Sequence, residues 1–260
     1  MLGKIETGIS SFDKISGGGL ISPSALSLIG NIGSIKETFV RHIAWNFLQR
    51  GLKVLYYSVS QSAEDLRSDM ARFNWDVTPY EKEGFLHIED IFTSAAEKVI
   101  FGEENSSSAD GTPEVDISKE LYDFKIIAKA GMKFMPAISG NSKSKLIVFD
   151  SISPVLQANS KGIFQMLHQL KFAARLTKAI GIGLMHTGVH DPKIEENFKS
   201  LGDGIIEIVE NPNGSNTLSL PKYVGEYKRG PFPIEVNNKG INIFPIVMID
   251  FPQHEYQVGV

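Results

Sequence analysis

Residues 25–41 read ALSLIGNIGSIKETFVR: an apolar strand, a turn carrying two glycines, a lysine, and the opening turns of a helix. The order is that of a phosphate-binding loop, whose intact Walker A form is GxxxxGK[ST]. In that form backbone N–H groups cradle the phosphates, the lysine reaches the outer ones, and the hydroxyl holds Mg²⁺. Gly30, Gly33 and Lys36 fall in register, so Gly30, Asn31, Ile32, Gly33, Ser34, Ile35, Lys36, Glu37 and Thr38 form the candidate nucleotide-binding segment. Two of these residues are chemically adverse. Ile35 stands where the second motif glycine belongs. There the backbone must come close to phosphate, often at positive φ, and a β-branched residue suits neither need, so Ile35 is expected to fill or distort the loop. Glu37 stands in place of the metal-binding hydroxyl and brings a negative charge to the point where phosphate would arrive. A carboxylate can also ligate Mg²⁺, however, and Thr38 offers a hydroxyl next door.

Outward from this stretch the elements follow by periodicity. On the N-terminal side, TGISSFDKISGGGL (residues 7–20) is a largely polar segment with Phe12 and Ile15 as apolar anchors and predicts a lid or loop ahead of the first strand, Ala25–Ile29. On the other side, Phe39, Val40, Ile43, Ala44, Phe47 and Leu48 form the buried face of a helix over Glu37–Arg50, closed by Gly51. KVLYYSV (53–59) is a second buried strand, Ser62 with Asp65 is a capping pair, and the helix they open runs to about Phe73. Thr78 and Pro79 start a short helix that Gly84 ends, and Phe85–Ile88 is a third strand. LIVFD, the most hydrophobic run, ends at Asp150 and belongs at the centre of the sheet; a helix over Gly162–Ala179 then leads to GIGLMHT (181–187). Buried strands alternating with helices predict an α/β fold with a mostly parallel sheet. After Gly204, the shorter segments GIIEIVE, NTLSLPKYVGEY, FPIEVNN and INIFPI predict an antiparallel extension at one edge. Glu97–Asp116 is acidic and serine-rich and predicts a flexible insertion, followed by a helix over Ile117–Lys133 and a loop over Gly140–Lys145. Phe232, Phe244 and Phe251 are expected to pack in the core and along edge strands.

A chain of 260 residues suits one large α/β domain with ample core. With 42% hydrophobic and 22% charged residues it has ordinary globular composition, and its net charge of −4 supplies no basic field for nonspecific nucleic-acid binding. The absence of cysteine excludes disulfides and thiolate metal sites. No apolar run has the length of a membrane span or the form of a cleaved leader, so a cytoplasmic location is the default expectation.

Taken in order, these segments resemble the KaiC-like branch of the RecA superfamily of P-loop ATPases along nearly the whole chain. TGISSFDKISGGGL is similar to that family's TGxxxFDxxxxGGL lead-in, and KVLYYSVSQSAEDLRSDMARFNWDV to its second strand, helix and aromatic-Trp-Asp signature. LIVFDSIS resembles its Walker B strand, and LGDGIIEIVE and PKYVGEYKRGPFPIEVNNKGINIFP its distal strands. The resemblance implies a RecA-like fold and casts Asp150 as the Walker B acid, a candidate Mg²⁺ contact. It also implies a pair of glutamates after the second strand, one to polarise the attacking water. This chain has Ser60 and Gln61 there, and the nearest acid, Glu64, lies one helical turn on. Glutamine orients water but accepts a proton poorly, so general-base assistance worth about 10²- to 10⁴-fold is expected to be missing.

Two further groups are weighed. His186 and His190, with Asp191, have helical metal-pair spacing but follow a strand, and are expected to be sensor-position or plain loop histidines rather than metal ligands. Lys222, Lys228 and Arg229 lie in the segment that, in ring-forming relatives, reaches the neighbouring subunit's nucleotide; they are candidate trans contacts or an ordinary charged hairpin tip. The sequence therefore predicts a noncatalytic regulatory or assembly protein that self-associates head to tail into a ring or filament, with weak or absent nucleotide binding. The alternative is an ATP-binding protein or slow ATPase in which Glu37 and Asp150 hold Mg²⁺, Lys36 holds phosphate and Gln61 orients water. A recombinase-like DNA binder would need basic loops, which this chain lacks.

Overall fold

Runs of β-branched and aromatic residues pair into a sheet because only there can both of their faces be buried, and the amphipathic segments between them supply the cover. The computed structural model describes residues 3–101, 145–158 and 163–244. Its elements are β1 (Gly3–Ile5), α1 (Ser10–Ile15), β2 (Leu20–Ser22), β3 (Ser24–Gly30), α2 (Lys36–Gln49), β4 (Val54–Ser58), α3 (Ala63–Ala71), α4 (Thr78–Lys82), β5 (Leu86–Asp90) and α5 (Ile91–Phe101). Then come β6 (Leu146–Asp150), α6 (Ser153–Ala158), α7 (Ile163–Thr177), β7 (Ile180–His186), α8 (Pro192–Leu201), β8 (Gly204–Glu210), β9 (Asn216–Lys222), β10 (Phe232–Asn237) and β11 (Gly240–Ile243). The main sheet has nine strands in the order β11-β10-β9-β8-β3-β7-β6-β4-β5, and β1 pairs antiparallel with β2 as a separate ribbon.

From β8 to β5 every neighbour is parallel, with LIVFD inside that block between β7 and β4. One face carries Leu26, Leu28, Tyr56 and Val148 against α2, with Phe39, Val40, Ile43 and Phe47 fully buried. The other carries Ile29, Leu55, Ile147 and Phe149, packed with Ile152, Val155 and Phe198. Alternation along β3, β4 and β6 sends successive side chains to opposite cores, which is why their sequences are apolar throughout. The capping pair is formed: Ser62 Oγ accepts from the Asp65 N–H at 3.0 Å.

Several expectations are corrected. The lead-in is no lid: Phe12 and Ile15 are buried, Phe12 meets the Phe39 ring edge-on at 5.2 Å, and Asp13 accepts from the Thr7 N–H and hydroxyl at 2.8 Å each. GIIEIVE is not part of the antiparallel extension on both sides; β8 runs parallel to β3, and the antiparallel pairing begins at β9. Helix α5 runs through Phe101, so residues 97–101 are helical where an insertion is expected. The rest of that insertion, the helix over 117–133, the loop over 140–144 and Phe251 lie outside the described residues. Helices α6 and α8 are absent from the pattern reading, and Phe244 is exposed rather than packed, whereas Phe232 is buried.

Candidate functional site

The loop of residues 31–35 and the first turn of α2 lie at the carboxyl ends of the parallel strands, where open α/β sheets bind ligands. The same edge receives Asp150 from the end of β6, Ser60 and Gln61 after β4, His186 from the end of β7 and Glu210 from the end of β8. The backbone of the loop turns on its two glycines. A Cβ on Gly30 would collide with the Ile208 carbonyl oxygen and the Ser34 hydroxyl, and Gly33 has a φ of +88°, which a side chain would strain. Ile35 does not need that conformation. Its φ is −87°, and its side chain is half-buried against the core beside α2, so the expected backbone conflict does not arise at this position.

The charges are arranged against an anion. Lys36 is only 1% exposed, and its ammonium pairs with Glu37 Oε1 at 2.9 Å while donating a longer bond to Ser34 Oγ at 3.4 Å. Lys36, expected from the sequence to meet phosphate, is thus paired with the next residue in its own chain. A second carboxylate, that of Glu210, lies against Gly33, where an added Cβ would strike it. Asn31 holds the Glu210 backbone there, its amide donating to the Glu210 carbonyl at 2.9 Å and accepting from the Glu210 N–H at 2.8 Å. Ile32, at the tip of the loop, is 69% exposed, and Thr38 is half-buried.

Below the loop is a buried polar network built on Arg41. Its guanidinium donates to Asp69 Oδ2 at 3.0 Å, Gln61 Oε1 at 3.1 Å and Asp150 Oδ2 at 3.4 Å. The Tyr56 hydroxyl donates to the same Asp150 oxygen at 2.5 Å. Burial opposes the charge on Arg41, but Tyr56, Asp150 and Asp69 outweigh it and hold its pKa above the usual value. Burial also raises the Asp150 carboxyl, by more than Arg41 and the Tyr56 hydrogen bond lower it. Gln61 is committed on both ends of its amide, since Nε2 donates to Asp69 at 3.4 Å. Ser60 and Glu64 are exposed.

His186 Nε2 lies 3.5 Å from Glu37 Oε1. Burial and then the Lys36 charge lower its pKa, with Glu37 and Asp150 offsetting only part, so near neutral pH the contact is not an ion pair. His190 turns away to the Ser153 hydroxyl at 3.0 Å, and Asp191 caps α8 by accepting from the Lys193 N–H at 2.8 Å. The three do not converge. Of the distal cations, Lys222 donates to the Gly202 and Ser200 carbonyls at 2.6 and 3.3 Å within its own chain. Lys228 and Arg229 are exposed, and among the described residues neither side chain is bonded or ion-paired.

Arg41, Tyr56 and Glu210 are absent from the sequence reading. The signal for Arg41 was present: it follows Glu37 by four residues and precedes Ala44 and Leu48 by three and seven, so a charge stands in a buried stripe. Glu210 gives no such signal, because only the β8–β3 pairing brings it to the loop.

The family model described as the KaiC ATPase matches residues 5–247. A UPF0273 protein of Pyrococcus furiosus is 35% identical over 256 residues, covering 94% of this chain and 95% of its own length. A UPF0273 protein of Thermotoga maritima is 25% identical over 259 residues, covering 94% and 97%. The circadian clock protein KaiC3 of Synechocystis is 24% identical over 270 residues, which is 99% of this chain but 48% of that protein. Among solved structures, a KaiC-like protein of Pyrococcus horikoshii superposes with a TM-score of 0.71 at 21% identity, over 94% of this chain and all of that one.

Proposed function

The chain belongs to the KaiC branch of the RecA-superfamily P-loop ATPases, and on that premise we propose that it is a noncatalytic member, a regulatory or assembly protein with weak or no nucleotide binding. One observation carries this reading: the buried Lys36 ammonium is neutralised by Glu37 at 2.9 Å. A triphosphate would have to displace that carboxylate and lie beside a second one on Glu210, each repelling it at short range in a partly desolvated site. Hydrolysis has a further obstacle, since Gln61 is tied to Arg41 and Asp69 and the acid nearest in sequence, Glu64, is exposed.

The second reading, ATP binding with slow turnover, is favoured by the backbone, because the Gly30 and Gly33 conformations leave the cradle's shape in place. Calorimetric titration with ATP and Mg²⁺ separates the two, and a phosphate-release assay follows turnover. The expected result is no heat of binding at micromolar ATP and no turnover above a heat-treated control. A rate of about 1 s⁻¹ or more that Lys36→Ala abolishes is the outcome against it.

A further inference from the structure

The family's chemistry implies Mg²⁺ beside Asp150, and the residues around Asp150 do not fit it. Magnesium takes hard oxygen ligands in near-octahedral geometry and usually keeps several waters. Asp150 is 1% exposed, and one of its oxygens already accepts from both Tyr56 and Arg41. Its other oxygen, Oδ1, is buried and has no hydrogen-bond partner among the described residues, a single acceptor where a dication needs several. Among the described residues no group of three His, Asp or Glu side chains comes together to hold a metal. The decisive feature is the guanidinium, a permanent cation 3.4 Å from the carboxylate, which would face any metal ion across a few ångströms of low-dielectric interior.

We propose that Arg41 is a built-in cation that takes the place of the divalent metal at Asp150 and closes the site to Mg²⁺. The geometry supports a replacement rather than a chance ion pair. Arg41 meets Asp150, Gln61 and Asp69 with two guanidinium nitrogens, so it spans both the Walker B strand and the position after β4 where active relatives are expected to keep their glutamates. It comes from the second turn of α2, the helix that the edited loop opens, so one short stretch carries both alterations: Glu37 on the phosphate lysine and Arg41 on the metal acid. The proposal rests on the reading of Asp150 as the Walker B acid, and it holds whether or not ATP binds.

Manganese(II) added alone to the full chain, with bound ion read by electron paramagnetic resonance, tests it. The parent chain is expected to bind no Mn²⁺ that Asp150→Asn removes. Arg41→Met, which keeps an apolar stem, deletes the charge and releases the Asp150, Asp69 and Gln61 oxygens that converge on the guanidinium, is expected to gain a site at least tenfold tighter than any in the parent, lost again on adding Asp150→Asn. Mn²⁺ bound by the parent and released by Asp150→Asn overturns the proposal, and so does a folded Arg41→Met chain that gains no site. If Arg41→Met does not fold, urea denaturation of the double substitution decides. Neutralising Asp150 must restore folding lost with its counter-cation, and a double variant no more stable than Arg41→Met alone overturns the proposal. Titration of the parent with ATP in EDTA reads the noncatalytic proposal separately; tight metal-free binding sinks that reading and leaves Arg41 in its role.

Discussion

Glu37 pairs with the buried Lys36 ammonium at 2.9 Å, and that single contact sets the expectation for the loop. If its carboxylate is the main obstacle, Glu37→Thr combined with Ile35→Gly returns the motif to GxxxxGKT and frees Lys36. Thermal melting in millimolar ATP and Mg²⁺ is the measurement. The parent is expected to shift by less than about 1 °C. A double variant reaching a ligand excess of 100 Kd gains about 2.7 kcal/mol, or roughly 5–10 °C for a chain of this size. Because the Arg41 guanidinium remains, the gain is expected to be nearly the same in EDTA. A parent that already shifts strongly, with no increase in the variant, contradicts the account of Glu37. At this scale the sequence shows what replaces a motif residue, as at Ile35 and Glu37, because the motif supplies the frame. It does not show Glu210, which acts on Gly33 from a strand far along the chain.

At the scale of elements, α2 is tied to the edge of the sheet by a histidine. His42 Nδ1 accepts from the Ile241 N–H of β11 at 3.1 Å, and its ring stacks on Trp75 at 4.9 Å. Burial lowers its pKa to about 4. The folded chain therefore holds His42 neutral while the unfolded chain protonates it near 6.5, so the contribution is fully present above about pH 6.5 and is lost as pH falls toward 4. At 1.36 kcal/mol per pH unit the loss is at most about 3 kcal/mol, reduced because the ring is partly solvated. Urea denaturation between pH 4.5 and 7 should show the parent losing stability faster than His42→Gln, which keeps an acceptor that does not titrate. Parallel slopes for the two chains would contradict the assignment. Element identity was legible wherever burial left a pattern, as in the helical stripe of α2 and the continuous apolar runs of β4 and β6. Direction was not, since β8 reads like its antiparallel neighbours and only its pairing with β3 distinguishes it. The lead-in misled because its polar residues bond to one another, Thr7 to Asp13, and leave Ile9, Phe12, Ile15 and Leu20 to do the packing.

On the scale of the whole molecule, two surfaces of opposite character suggest how copies meet. One is the edge with the loop, which carries Ile32, 69% exposed, together with the carboxylates of Glu37 and Glu210. The other is a groove of about 590 Å³ between α1 and β11, lined by Ser10, Ser11, Lys14, Lys228 and Asn242 around the buried Ile9, Ile15 and Ile241. An exposed apolar side chain on an edge with two carboxylates is complementary in charge to a mixed groove with two lysines, and because the two patches differ, a contact between them repeats head to tail into a ring or a filament. We propose self-association in this sense, with Lys228 and Arg229 turned toward the neighbour and Lys222, already bonded within its own chain, left out. Light scattering across protein concentration and salt is expected to show an oligomer that weakens as salt screens the pairs. Ile32→Asp and the pair Lys228→Glu, Arg229→Glu should each shift the equilibrium toward monomer by about tenfold or more, while leaving the melting temperature of the monomer unchanged, since all three side chains are exposed. An oligomer indifferent to the lysine and arginine changes but broken by Ile32→Asp would reduce the interface to its exposed apolar side chain. A monomer at every concentration and salt level would leave the exposed Ile32 and the groove without a shared use, and assembly would have to be given up.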